Sequence, residues 1–144
     1  MATKLEGLFS DYAAYHQTAG NKACHYVGIP LIVFTGLGML SYASAAAPVT
    51  VAALSVVYYL TLSGRLSVAM AAALLVMCAV ASRVPIQVHL AGFIVGWIFQ
   101  FVGHYVYEKR SPAFYRNLQH LLIGPLWVVA RFLPQRPTES VHSV

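Results

Sequence analysis

Four apolar stretches, at about 22–42, 48–63, 66–81 and 86–107, take up most of the chain, and the charged residues fall between them. Each is near the ~20 residues a helix needs to cross ~30 Å of hydrocarbon, the third at the short limit. Without water, every backbone N–H and C=O must be satisfied internally, so such stretches fold as helices. A soluble bundle with a very apolar core is the competing reading. Only 9% of residues are charged and 59% are hydrophobic, against about 25% charge in soluble domains. The expected fold is therefore an all-α integral membrane bundle, a single domain over residues 1–144.

The flanks complete the map. Leu5, Leu8, Phe9, Tyr12 and Tyr15 recur at three- and four-residue steps, which predicts an amphipathic helix within segment 1–20, lying on the membrane or packing on the bundle. Gly20-Asn21 breaks it, and Asn21 is placed to cap the first span. Ala47-Pro48, Ser63-Gly64-Arg65 and Arg83-Val84-Pro85 separate the spans of the core, 22–107. Pro30 lies inside the first span, where neighbouring groups can satisfy the freed carbonyl. Residues 108–134 read as a polar turn followed by an apolar run, 118–133, interrupted by Gly124-Pro125. That run is short for a span, so a re-entrant or interfacial helix is expected. Residues 135–144, with His142, read as a disordered tail.

With four crossings, Lys4, Lys22, Arg65, Lys109, Arg110 and Arg116 share one side and only Arg83 lies opposite. The bias predicts cytoplasmic termini. The N-terminus lacks the apolar core of a signal peptide, and compact loops with no retention tail point to a bacterial inner membrane, the endoplasmic reticulum being the alternative. The net charge of +5 is scattered, which argues against a nucleic-acid partner. Cys24 and Cys78 form no paired pattern and read as buried thiols. Phosphate loops and hydrolase or metalloprotease motifs are missing.

The same topology gathers polar residues. Gln100, His104 and Glu108 are spaced four apart, one above another on a helix face. His25 begins the first span on the side where His104 ends the fourth, and His16 precedes it. Ionisable groups near membrane depth are costly, and a functional site is the default reading for them. Alone, His104 and Glu108 are as well explained by a helix-end hydrogen bond as by a shared metal. Together, three imidazoles and a carboxylate at one depth form a ligand set used by non-haem iron or zinc. His89, fifteen residues before His104, lies about 22 Å away on one helix and reads as structural. His120 is open: folded back toward His104 by the Ser111-Pro112 turn, or interfacial. Gln100 either contacts substrate or holds a neighbouring helix. Lys109 and Arg110 are orientation charges that also suit a carboxylate at the site mouth.

Tyr15-His16, Asn21, His25 and Gly28-Ile29-Pro30 form one motif. Gly96-Trp97-Ile98-Phe99-Gln100-Phe101-Val102-Gly103-His104, Glu108-Lys109-Arg110 and Pro112-Ala113 form a longer one. Both resemble the family of the fungal endoplasmic-reticulum 2-hydroxy fatty acid dioxygenase, which has small bacterial members, over about residues 10–130. His89 and His120 lie outside the motifs. The resemblance implies an Fe(2+)-dependent dioxygenase of fatty-acid α-oxidation, whose partners are a 2-hydroxy fatty acid, O2 and the bilayer. It implies His16, His25 and His104 as ligands, with Glu108 either the carboxylate ligand or the acceptor that orients an imidazole, and Asn21, Gln100, Lys109 and Arg110 toward substrate. The oligomeric state is not legible. The competing readings are a non-catalytic membrane module held together by the polar stripe, and a small transporter. The far half of the bilayer holds too few polar residues for a transporter.

Overall fold

The structure, a computed structural model, describes residues 3–134. Helix α1 (Lys4–Ala14) opens on a reciprocal cap: the Thr3 hydroxyl accepts from the Glu6 N–H, and the Glu6 carboxylate accepts from the Thr3 N–H. Its apolar face buries Phe9 and Tyr12 against the bundle. Burying a side chain such as Phe9 is worth about 2 kcal/mol, so α1 packs on the protein.

Helix α2 (Ala19–Ala43) is the longest and carries Pro30 within it. Its N-cap is Thr18, whose hydroxyl accepts from the Asn21 N–H at 3.3 Å. The expected cap, Asn21, is thus corrected. Its side-chain amide donates instead to the Tyr15 carbonyl and to Glu108. Helices α3 (Ala46–Leu60) and α4 (Gly64–Ala81) pair across a short turn, with the Ser63 side chain capping α4. Helix α5 (Ile86–Phe101) lies along α2 and continues into a π-helical segment, Val102–Glu108. Lys109 ends that segment in the left-handed conformation, φ 55°, its N–H returning to the His104 carbonyl. A 3-10 turn (Ala113–Tyr115) leads to α6 (Gln119–Phe132), which packs against α1, α2 and α4.

The chain is an all-α membrane bundle. Three helical stretches, Ala19–Ala43, Gly64–Ala81 and Ile86–Glu108, are long and apolar enough to cross a membrane. The second expected span is the apolar α3, whose 15 residues reach only about 22 Å. Most of the surface of these helices faces outward: Leu54, Val68, Leu75 and Ile94 are each over 60% exposed. An apolar surface this continuous suits hydrocarbon rather than water. The core joins Phe9 and Tyr12 of α1 to Leu37, Met70 and Leu74 of the spans and to Ile123 and Leu126 of α6. Tyr59 ties α3 to α6 by donating to the Leu122 carbonyl at 2.7 Å. Cys24 is a buried free thiol, and Cys78 a half-buried one. The predicted tail, 135–144, and His142 lie outside the described residues.

Candidate metal centre

The end of α1, the start of α2 and the π-helical segment converge, and each brings one histidine. His16 sits in the turn after α1, His25 two turns into α2, and His104 in the π segment. All three are buried. One ring nitrogen from each lies within 4.8 Å of the others, and the ring centroids are 4.3, 4.9 and 4.8 Å apart. Metal–nitrogen bonds of about 2.1 Å let two ligand atoms stand at most about 4.2 Å apart. Three ligands on one ion stand closer still, about 3.0–3.6 Å from one another, so the rings must draw together by about an ångström to share it.

The backbone sets two of the tautomers. His16 Nδ1 lies 2.6 Å from the Tyr12 carbonyl and His25 Nδ1 lies 2.9 Å from the Asn21 carbonyl, each four residues earlier. A carbonyl only accepts, so each Nδ1 carries the proton and each Nε2 keeps its lone pair. Such outer hydrogen bonds are what orient metal-ligating histidines. Burial, and then the neighbouring His25, push the His16 imidazole down to about 2. It is therefore neutral at any ordinary pH, as a ligand must be. Tyr12 stacks on His16 with ring centroids 4.1 Å apart. Burial raises its phenol well above the ordinary range, so it stays protonated.

These side chains line a cavity of about 80 Å³ between α1, α2, α5 and α6. Six buried side-chain atoms lack a hydrogen-bond partner among the described residues, and four of them line this cavity: His16 Nε2, Gln100 Nε2, His104 Nδ1 and His120 Nδ1. Orphaned polar atoms are uncommon in folded interiors, and their concentration in one cavity fits a space made to hold a ligand. Free lone pairs on neutral, backbone-oriented imidazoles fit iron, zinc, copper or nickel.

Glu108 does not join the three histidines. Its carboxylate accepts from the Gln17 N–H (3.0 Å), the Thr18 N–H (3.0 Å), the Thr18 hydroxyl (2.9 Å) and the Asn21 amide (3.1 Å). It thus sits at the N-terminus of α2, where the helix favours an anion. It also ties the turn that carries His16 to the segment that carries His104. Close approach of α2 and the π segment requires a glycine: a Cβ on Gly103 would run into Asn21 Oδ1 and stand 3.1 Å from Cys24 Cβ and 3.3 Å from His25 Cε1.

The other expected site residues divide. Gln100 is buried in the cavity wall. Asn21 is fully buried but outside that wall, its amide bridging Tyr15 and Glu108. Arg110 lies over the Tyr15 ring at 5.4 Å and donates to the Ala14 carbonyl at 3.4 Å. With Tyr15, Ser111, Pro112 and Arg116 it lines a separate polar pocket. Lys109 is exposed and lines neither. His89 is fully buried away from the three histidines, its Nε2 lying 2.9 Å from the Ala81 carbonyl. It therefore donates there, and packs on Phe34.

His120 folds back, one of the two outcomes left open by its position. It lines the histidine cavity, and its Nε2 lies 2.8 Å from the Asp11 carboxylate. The sequence reading missed Asp11, Thr18 and Gln17. Asp11 did carry a signal: the whole chain has only four acidic residues, and this one stands directly before Tyr12 on α1. Backbone donors at residues 17 and 18 leave no mark on side-chain composition.

A family profile described as "2-hydroxy-palmitic acid dioxygenase Mpo1-like" matches residues 2–136. The chain is 35% identical over 138 residues to the 2-hydroxy-palmitic acid dioxygenase MPO1 of Saccharomyces cerevisiae, covering 90% of this chain and 79% of that relative. No solved structure matches.

Proposed function

The chain belongs to the Mpo1-like 2-hydroxy-palmitic acid dioxygenase family, and from that premise we propose that it is an iron(II)-dependent dioxygenase of 2-hydroxy fatty acids. The reaction converts the hydroxy acid and O2 to a fatty acid one carbon shorter, CO2 and water, which balances without a further reductant. The observation that carries the reading is the group of three buried histidines, two of them with an unpartnered ring nitrogen, at the head of an apolar bundle.

His16, His25 and His104 would hold the ion. Bound iron(II) supplies the one-electron chemistry that lets O2 react with a closed-shell hydroxy acid. Three protein ligands leave positions open for both reactants, the same economy as the two-histidine, one-carboxylate arrangement of other non-haem oxygenases. Glu108 takes the outer role of the two expected for it, since its carboxylate is turned to Gln17, Thr18 and Asn21 and accepts four hydrogen bonds there. It braces the ligand-bearing segments, and Asn21 shares that work.

The substrate head meets the remaining polar atoms. Gln100 Nε2 donates to the carboxylate or the 2-hydroxyl. Asp11 accepts the Nε2 proton of His120, which leaves His120 Nδ1 with a lone pair toward the cavity, able to accept from the 2-hydroxyl. Tyr12 and Trp97 exclude water beside them. Arg110 and Lys109, near the polar end of the bundle, raise the local concentration of the anionic substrate. The charge distribution supports cytoplasmic termini, α3 completing the fourth crossing, in a bacterial inner membrane or, as the alternative, an endoplasmic-reticulum membrane.

Alanine substitution tests the assignment residue by residue. His16→Ala, His25→Ala and His104→Ala should each lose stoichiometric iron, while His120→Ala keeps iron and loses turnover. Full iron in the His104 variant would show the site to be misassigned.

A further inference from the structure

A second, larger cavity begins where the histidine cavity ends. It measures about 500 Å³, runs among α2, α3, α4, α5 and α6, and is lined almost wholly by apolar side chains. The two share four wall residues, Ile32, Val33, Leu121 and Pro125. A polar head chamber of orphaned donors and acceptors therefore borders an apolar groove across four shared wall residues. That volume is within the range of small-molecule sites.

We infer that this groove is the acyl-chain site of the enzyme and that Gly36 sets the chain length it accepts. The inference rests on the function proposed above and adds where the rest of the substrate lies. The occupant follows from adjacency: a molecule with its carboxylate and hydroxyl at Gln100 and His120 reaches the groove by passing its alkyl tail along Ile32, Val33, Leu121 and Pro125. Gly36 borders the groove, and a Cβ built there meets only Phe93 Cε2, at an ordinary 3.9 Å. The space above Gly36 is thus open, unlike that above Gly28 or Gly38 on the same helix.

Position along α2 gives the length. Gly36 lies eleven residues beyond His25, about 16 Å along the helix. An extended alkyl chain with C–C bonds of about 1.5 Å advances roughly 1.25 Å per carbon. With C2 at the histidines, Gly36 stands beside about C14 or C15. A 2-hydroxypalmitate tail reaches it, and a 2-hydroxydecanoate tail does not.

The test is kcat/KM of the iron-loaded Gly36→Leu protein on 2-hydroxypalmitate and 2-hydroxydecanoate, with iron content measured on the same samples. Filling a pocket by a few methylenes discriminates about 10–200-fold. The C16 acid should therefore lose about tenfold or more while the C10 acid stays within about twofold of wild type. Ser55→Phe, on the opposite wall in α3, should give the same pattern without touching a histidine-bearing helix. Equal loss at both lengths, or none at either, with iron retained in both variants, would overturn the inference. A separate readout needs no turnover: a 2-hydroxy acid carrying a diazirine at C14, photolysed on the iron-free protein in nanodiscs, should label the segments around Gly36 and Ser55. Labelling confined to outward side chains such as Leu75 would mark bulk lipid and also overturn it. Wild-type protein that turns over neither acid yet labels at Gly36 would instead count against the proposed reaction.

Discussion

Replacing Glu108 by alanine tests whether this carboxylate braces the metal centre or belongs to it. The wild-type group accepts four hydrogen bonds, two of them from backbone N–H groups ahead of α2. Hydrogen bonds to a charged partner are worth about 1.5–3 kcal/mol each when no replacement exists. Gln17 is exposed and Thr18 half-buried, so water recovers much of their share. Asn21 is fully buried, and its amide keeps only the Tyr15 carbonyl. The net loss of stability should be about 2–3 kcal/mol. More telling is iron affinity. With the brace gone, the turn carrying His16 is no longer held to the segment carrying His104, and loss of an outer partner typically weakens metal binding about 10–100-fold. The assay is an anaerobic iron(II) titration of detergent-purified Glu108→Ala protein beside a thermal melt. A lower melting temperature with a tenfold or greater fall in affinity is expected, at unchanged stoichiometry. Wild-type affinity would refute the bracing argument. Complete loss of iron, equal to that of His104→Ala, would make Glu108 a ligand.

Further outcomes follow from the same geometry. His89→Ala should keep full iron and turnover but lose about 2–4 kcal/mol, because it leaves a cavity and removes the hydrogen bond that joins α5 to the Ala81 carbonyl; a melt with metal analysis checks it, and loss of iron in folded protein would contradict it. Gly103→Ala should lower iron affinity more than any other single methyl addition in the bundle, since its Cβ has only Asn21, Cys24 and His25 to displace; an unchanged iron titration would show that the π segment shifts freely. Asp11→Asn should leave iron stoichiometry intact and reduce kcat, because an amide holds the His120 tautomer less firmly than a carboxylate; equal kcat would remove His120 from substrate handling.

Much of this was legible from hydropathy and spacing. Apolar stretches with charges between them fixed the helices, and topology alone carried His16, His25 and His104 to one end. The separation of His89 from His104 followed from helical rise. What spacing missed lies where local backbone departs from the ideal. The Gln100, His104 and Glu108 stripe assumed an α-helix, whereas the chain turns π at Val102, and Glu108 reaches α2 rather than the histidines. The Asp11–His120 pair joins residues 109 positions apart, beyond any periodic signal. The α2 cap moved from Asn21 to Thr18 because the helix begins at Ala19, which puts Asn21 inside its first turn with its own N–H capped by the Thr18 hydroxyl.

The most direct measurement is iron reconstitution of purified protein under anaerobic conditions, followed by O2 uptake on 2-hydroxypalmitate with mass analysis of the acid formed. One iron per chain, O2 consumed in proportion to substrate, and pentadecanoate as product are expected. A protein that binds no iron, or binds it and leaves both O2 and the hydroxy acid untouched, would contradict the assignment of the three histidines to this chemistry.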